Sequence, residues 1–390
     1  MESPVQIVES FLQCLSENKR PIGFFLGAGC PFSIKLGTLP LIPSIQGLTE
    51  YVKTNIRDAA GEKKALAKVI SQLKICCSDE PNVETILSHV RMLKNVAKYE
   101  ALADFSFTEI DNLECSICAS INQCVNKRLP DNTPYQDLAK WIASAQRDKP
   151  VEIFTTNYDL LIEESLEKFN IPFFDGFSGS YRPFFDLYSI ENDSFPARWV
   201  KLWKLHGSIN WRSFDHGGDK VFCRSFDESL GALTIHPSHL KYDQSRKLPY
   251  LAMIDRLKIF LSTPESVLFI VGYSFGDSHL NETILNGLES SEKSAAFALM
   301  FNKTTDKDVA NARSYAHHRP NLSVFSRDGA TVGTKQYLWQ KLPQLDCTNI
   351  PVGILDWKPS VDDTNVGEYK LNLGNFVIFG KMLNDISGGI

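Results

Sequence analysis

The chain has 390 residues, enough for one large domain or two to three ordinary ones. Its composition, 43% hydrophobic, 22% charged and 11% aromatic, is that of a soluble globular protein with ample core material. A net charge of −5 and a pI near 6.0 exclude a surface built to wrap nucleic acid, though not a local basic groove.

The N-terminal stretch reads as an amphipathic helix, with Val5, Ile7, Val8, Phe11, Leu12 and Leu15 on one apolar face, and not as a signal peptide. IGFFL at 22–26 is a short apolar run ending in glycine, which predicts a buried strand leading into Gly27-Ala28-Gly29. That turn is not a P-loop, which closes on Gly-Lys-Ser/Thr, and it lacks the third glycine of the Rossmann G-x-G-x-x-G. From about 45 to 146 the spacing is almost wholly helical, as in Val83, Ile86, Val90, Leu93 and in Ile110, Leu113, Ile117, Ile121, Cys124. This predicts a helical module inserted between two strands of an α/β core.

VEIFTT at 151–156 resumes the strand pattern, and the next helix is expected to be entered through Asn157. Residues 173–243, rich in Gly, Pro, Ser and aromatics, predict a loop-rich insertion with short strands; one strand, in WVKLWKLHG, ends at His206-Gly207. SVLFIVGYSFGDSHL is a second unit of strand, glycine turn and helix. AAFALMFNK and LSVFSRDGA are two further strands around a short helix at about 306–315. The alternation predicts an α/β fold: a doubly wound, Rossmann-like, mostly parallel sheet with a large helical insertion. Residues 346–390 are expected to form a C-terminal extension serving oligomerisation. No apolar run approaches the ~20 residues of a membrane helix, so no membrane partner is expected. Nine cysteines, an odd number without a secretion signal, point to reduced thiols in the cytoplasm.

Ligands of open α/β sheets sit beyond the carboxyl ends of the strands. Four polar clusters fall at predicted strand ends: Gly27-Ala28-Gly29, Thr155-Thr156-Asn157-Tyr158-Asp159, Leu205-His206-Gly207-Ser208, and Gly272-Tyr273-Ser274-Phe275-Gly276-Asp277. Each alone is ordinary: a tight turn, a satisfied imidazole, or Asn and Asp as helix caps. Their order is not ordinary. GAGCPFSIKLG, TTNYD, LHGS, GYSFGD and FNK run in the order of the sirtuin motifs, so residues 20–345 resemble the sirtuin family of NAD-consuming enzymes.

The resemblance implies an NAD-binding catalytic domain over 1–345, with NAD+ as substrate. It implies that Asn157 orients the ribose and a water, and that His206 is the general base toward the ribose hydroxyls. It places Asp159 on the nicotinamide amide, Gly272 and Ser274 on the phosphates, and Asn302 on the adenosine ribose. Gly27, Ala28 and Gly29, with Cys30 and Ser33, would cradle the pyrophosphate. Glycines without Cβ let backbone N–H groups approach it. SRDGA at 326–330 lies where family members close over the adenine.

Departures from the family pattern are specific. The interval from Gly29 to Gly37 is two residues longer, Pro31 stands where a serine is expected, Thr156 replaces a glutamine, and no Asp-Phe-Arg follows the loop. Where deacylases of the family carry a zinc ribbon this chain has only Cys223, so no zinc is expected. Cys115, Cys118, Cys124 and the Cys76-Cys77 pair have the spacing of core thiols. Cys30 is either a small loop residue or an exposed redox thiol. Asp277 is expected to cap the following helix, and His236, His279 and His317-His318 lack motif support. Among the aromatics of 170–186, Arg182 is the one charge able to meet a phosphate.

The helical insertion and the lack of a ribbon resemble the bacterial sirtuin-like effectors of antiphage defence, partners of a HerA-type ATPase. That resemblance implies hydrolysis of NAD+ to nicotinamide and ADP-ribose, homo-oligomeric assembly and a separate ATPase partner. The alternatives are an NAD-dependent protein deacylase and a non-catalytic NAD or ADP-ribose sensor. No direct nucleic-acid binding is expected.

Overall fold

A computed structural model describes residues 3–388 apart from 77–79, 101, 103, 218, 228–230 and 235–247; His236 and Cys77 lie outside the described residues. The first helix, α1 (Pro4–Ser16), opens on a capping box in which Ser3 and Gln6 bond each other's backbone N–H, and it buries Val5, Ile7, Val8, Phe11 and Leu15. Strand β1 (Ile22–Leu26) is buried along its whole length and leads through α2 (Gly29–Ser33) into a small hairpin, β2 (Lys35–Leu36) and β3 (Leu39–Pro40).

Four helices follow: α3 (Ile45–Asn55), α4 (Glu62–Cys76), α5 (Val83–Ala97) and α6 (Phe107–Val125). They enclose a core of their own, built from residues such as Leu48, Val69, Ile86, Val90, Leu113 and Ile117. The predicted module of 45–146 therefore ends near Val125. The next helix, α7 (Pro134–Ser144), turns Tyr135, Leu138 and Trp141 into the core beside the sheet instead.

The chain then runs through β4 (Val151–Thr155), α8 (Leu161–Lys168), β5 (Phe173–Phe174), β6 (Phe177–Ser178), β7 (Phe184–Phe185), α9 (Leu187–Asn192), β8 (Val200–Lys204), β9 (Gly207–His216), β10 (Asp219–Arg224) and β11 (Gly231–Thr234). After the undescribed segment come α10 (Tyr250–Ser262), β12 (Val267–Val271), α11 (Ser278–Glu289), β13 (Ala295–Leu299), α12 (Lys307–Ala316), β14 (Leu322–Phe325), β15 (Gly329–Val332) and β16 (Lys335–Leu338). A hairpin, β17 (Leu355–Pro359) with β18 (Gly367–Leu371), and α13 (Phe376–Ile386) complete the fold.

Nine strands form one sheet in the order β16-β15-β14-β13-β12-β1-β4-β8-β5, parallel from β14 to β5 and antiparallel at β15 and β16. From β1 the chain moves outward through β4 and β8 on one side, then returns to lay β12, β13 and β14 on the other. The strand order thus reverses at β1, which opens a crevice at the carboxyl ends. Successive residues of a strand face opposite sides. Phe24 accordingly lies in the core shared with α1, α7 and α13, against Trp141 and Phe379, whereas Phe25 lies in the core shared with α10 and α11. Burial on both faces explains why these strands read as unbroken apolar runs.

Three features differ from expectation. The segment 157–160 is not helical, because Thr155 Oγ1 accepts from Asn157 N at 3.0 Å and Asp159 Oδ1 accepts from Leu161 N at 3.1 Å, side-chain bonds that compete with a helical turn. Residues 173–243 contain a five-stranded sheet, β11-β9-β10-β7-β6, rather than mainly loops. In 346–390, Phe376, Phe379, Met382 and Leu383 of α13 are buried in the same core as α1 and α7, so this segment packs into the main fold.

Candidate active site

The predicted clusters meet at the carboxyl ends of β1, β4, β8 and β12. A cavity of about 470 Å³ there is lined by Ala28 and Gly29, by Thr156 to Asp159, by His206, and by Gly272, Tyr273, Ser274, Gly276 and Asp277. Its remaining wall comes from the β1–α3 segment and the helical module, through Ile42, Ser44, Ile45, Leu48, Asn82, Glu84 and Val125. Cys30, Ser33 and Asn302 are not among the lining residues.

The glycine loop also has a packing job, beside the ligand contact expected of it. Gly27 N donates to Val271 O at 2.9 Å and Gly29 N to Gly272 O at 2.8 Å, so both amides are already engaged. A Cβ on Gly27 would stand 2.3 Å from Gly272 O, and one on Gly29 2.8 Å from Gly272 Cα. These glycines let the loops after β1 and β12 pack backbone to backbone. Cys30 is buried beneath them, its thiol donating to Val271 O at 3.3 Å and pushed well above the usual range by burial and then by the nearby Asp159. It is therefore the loop residue and not an exposed thiol. Ser33 Oγ donates to Cys30 O at 2.7 Å, a local helical bond.

The loop after β12 is tightly turned, with φ of +67° at Gly272 and +55° at Phe275. Phe275 O is clamped by two amides, Asn281 Nδ2 and Asn311 Nδ2, each at 2.8 Å. The Tyr273 hydroxyl donates to Asn281 Oδ1 at 2.8 Å. Ser274 and Gly276 thus face the cavity from a loop braced from below.

Asn157 donates through Nδ2 to Gly27 O at 3.1 Å, which fixes its amide across the β1 loop. Beneath it the buried Tyr135 hydroxyl lies among Asn157, Asp159 and Cys30 without a well-formed hydrogen bond. Asp159 is 4% exposed, and burial pushes its carboxyl up to about 6 against the lowering pull of Lys204. The Lys204 ammonium, fully buried, bonds the Asp159 carbonyl and sits 2.8 Å from Glu163 Oε1. It ties the 157–160 loop to the end of β8.

His206 stands in the two-residue turn between β8 and β9, where Gly207 with φ +83° lets the chain reverse. Its Nε2 lies 3.3 Å from Asp277 Oδ2. The other oxygen of Asp277 caps α11, accepting from His279 N at 3.1 Å and Leu280 N at 3.3 Å. The predicted cap is thus real, and the same carboxylate also holds the imidazole. The Asp277 carboxylate thereby orients the imidazole where it lines the cavity.

Asn302 follows β13, is exposed, and donates to Asp308 Oδ2 at 3.1 Å. Arg182 lies with its guanidinium 5.1 Å over the Phe214 ring, away from the cavity. Cys223 is buried on β10, and among the described residues no three His, Cys, Asp or Glu side chains gather as a metal site. No helix among the described residues is long and apolar enough to cross a membrane.

Sequence reasoning missed Lys204, Tyr135, the pairing of His206 with Asp277, and the module's place in the wall. Two lysines, Lys201 and Lys204, inside the apolar run WVKLWKLHG were the available signal for Lys204.

A family model described as SIR2-like domain matches residues 151–322, which hold Asn157, His206 and the β12 loop. Among curated proteins none matches this chain. Solved structures similar to it include Sir2Tm bound to a propionylated peptide, at 13% identity over 77% of this chain and 90% of that one, with a TM-score of 0.30. Another is Sir2 bound to an acetylated peptide, at 13% identity over 80% and 98%, with a TM-score of 0.32.

Proposed function

We propose that this chain, which carries a SIR2-like domain, is an NAD+ glycohydrolase that releases nicotinamide and ADP-ribose. The supporting observation is the meeting of Asn157, the His206–Asp277 pair and buried Asp159 in one cavity at the topological switch of the sheet. NAD+ enters as substrate, its pyrophosphate against the braced Ser274–Gly276 loop and its nicotinamide riboside toward Asn157 and His206.

When the N-glycosidic bond breaks, its electron pair stays on the nicotinamide nitrogen and neutralises the pyridinium. The positive charge passes to the ribose as an oxocarbenium ion. Asp159 and Asp277 present negative charge in a partly desolvated cavity, where it stabilises that developing cation. Water adds to the anomeric carbon and loses its proton to His206, whose imidazolium Asp277 then stabilises. Asn157, anchored on Gly27 O, holds the water in line.

The sequence resemblance supplies the biological setting we attach to this reading. NAD+ depletion would serve antiphage defence in the cytoplasm, within a homo-oligomer gated by a HerA-type ATPase partner. The test is nicotinamide release from NAD+ with and without an acetyl-lysine peptide. Turnover without peptide is expected, lowered by about 100-fold or more in Asn157→Ala and His206→Ala. Strict dependence on peptide would sink the hydrolase in favour of a deacylase. Binding without turnover, even with the ATPase present, would make the protein a sensor.

A further inference from the structure

The core behind the cavity holds a polar group that the proposed reaction does not use. Tyr135, in the first turn of α7, is 1% exposed, and its hydroxyl is buried without a well-formed hydrogen bond. A buried hydroxyl in that state costs stability, and phenylalanine would fill the same space without the cost.

Rigid elements hold the residue in place. Its ring meets that of Phe376 on α13 edge to face, 5.0 Å between centroids and 74° between planes. Ser165 Oγ of α8 donates to the Tyr135 carbonyl at 2.8 Å. Gly380 lets α13 close on α7, since a Cβ there would stand 2.6 Å from Pro134 Cβ. The hydroxyl is thereby directed at the residues that follow β1 and β4. Burial first, then Asp159 and Cys30, hold it well above the usual range, and Asn157 acts against them, as an amide N–H aimed at the oxygen does.

The Asn157 amide is thus constrained from two sides. Its Nδ2 donates to Gly27 O at 3.1 Å, and turning the amide over would set two oxygens against each other there. An amide nitrogen carries two N–H groups, so one remains for the tyrosine oxygen. We propose that Tyr135 is a positioning residue for Asn157: its hydroxyl keeps the amide nitrogen turned into the protein, so that Oδ1 is the atom offered to the cavity, where it accepts one proton of the attacking water in a hydrogen bond. The other proton is the one that passes to His206. This rests on the NAD+ hydrolysis reading of the cavity. Tyr135 lies outside residues 151–322, where the family model matches, so α7 and the C-terminal helix that braces it complete the site.

The experiment is a double-mutant cycle on nicotinamide release from NAD+, with Tyr135→Phe, Asn157→Ala and both together. Tyr135→Phe is expected to lower kcat by about 5- to 20-fold and to leave KM within about 2-fold. Its melting midpoint is expected to hold or rise, because the substitution removes a buried hydroxyl and keeps the ring. In the Asn157→Ala background the same substitution is expected to change kcat by less than about 2-fold, since there is then no amide to position. A wild-type kcat in Tyr135→Phe overturns the proposal. So does an equal fold-loss in both backgrounds, the mark of a merely structural side chain. A wild-type protein that neither binds NAD+ nor releases nicotinamide overturns the hydrolysis reading itself, and this inference with it.

Discussion

Asp277 performs two tasks with its two oxygens, and a pair of substitutions separates them. Oδ1 accepts from His279 N and Leu280 N at the start of α11, while Oδ2 lies 3.3 Å from His206 Nε2. Asp277→Asn keeps an oxygen for the helix, Asn being as good an N-cap as Asp, but replaces the charged partner of His206 by a neutral amide. Asp277→Ala removes both. The alanine variant is expected to lose about 1 kcal/mol of stability and the asparagine variant less than about half of that.

For catalysis, unit charges at the 3.3 Å separation interact by about 5 kcal/mol at an effective dielectric near 20. Only the part that differs between neutral imidazole and imidazolium counts toward the barrier, and an asparagine still orients the ring. Taking about a quarter to three-fifths of the interaction leaves about 1.4 to 3 kcal/mol, a loss of about 10- to 150-fold in kcat for both variants. Nicotinamide release gives kcat, and calorimetric melting gives stability. An Asp277→Asn enzyme with wild-type kcat would refute the reasoning, because the carboxylate would then serve the helix alone.

Gly27→Ala places a Cβ 2.3 Å from Gly272 O, a backbone atom with nowhere to go. A cost of about 3 kcal/mol or more is expected, seen as a melting midpoint lower by about 4 °C in a chain of this length. An unshifted midpoint would return the glycine to a ligand-contact role. Asp159 has a raised pKa of about 6 in the folded protein against an ordinary value of 3.8. Stability present below about pH 4 is therefore lost as the pH rises through about 6, by up to about 3 kcal/mol. Burial raises buried Asp175 to the same value, so it adds to the loss in that window. Asp159→Asn removes its own share, so the difference in midpoint between variant and wild type should favour the variant more at pH 7.5 than at pH 4.5. A difference independent of pH would contradict a buried carboxyl that titrates on folding.

Much of the fold was legible because its signals are local. Ile22–Leu26, Val151–Thr155 and Val267–Val271 are apolar on both faces, and strands buried on both faces carry that mark in the sequence itself. Strand β16 was missed because three of its four residues are exposed, which leaves no periodic apolar signal. The second sheet was read as loops with short strands because its β6 and β7 are two residues long. The start of α8 was misplaced because Thr155 and Asp159 bond the backbone locally where helical propensity would have carried on.

By itself the sequence determined the parallel core, the helical module and the order of polar clusters at strand ends, all encoded in contiguous spacing. It did not determine what those clusters do to one another. That Gly27 and Gly29 exist for the close passage of the β12 loop, and that Lys204 braces Asp159, follows from contacts between distant segments. So does the holding of His206 by Asp277 and the arrival of Glu84 from the module. Close approach and electrostatic coupling act through space, and only the reversal of strand order at β1 brings those segments within reach.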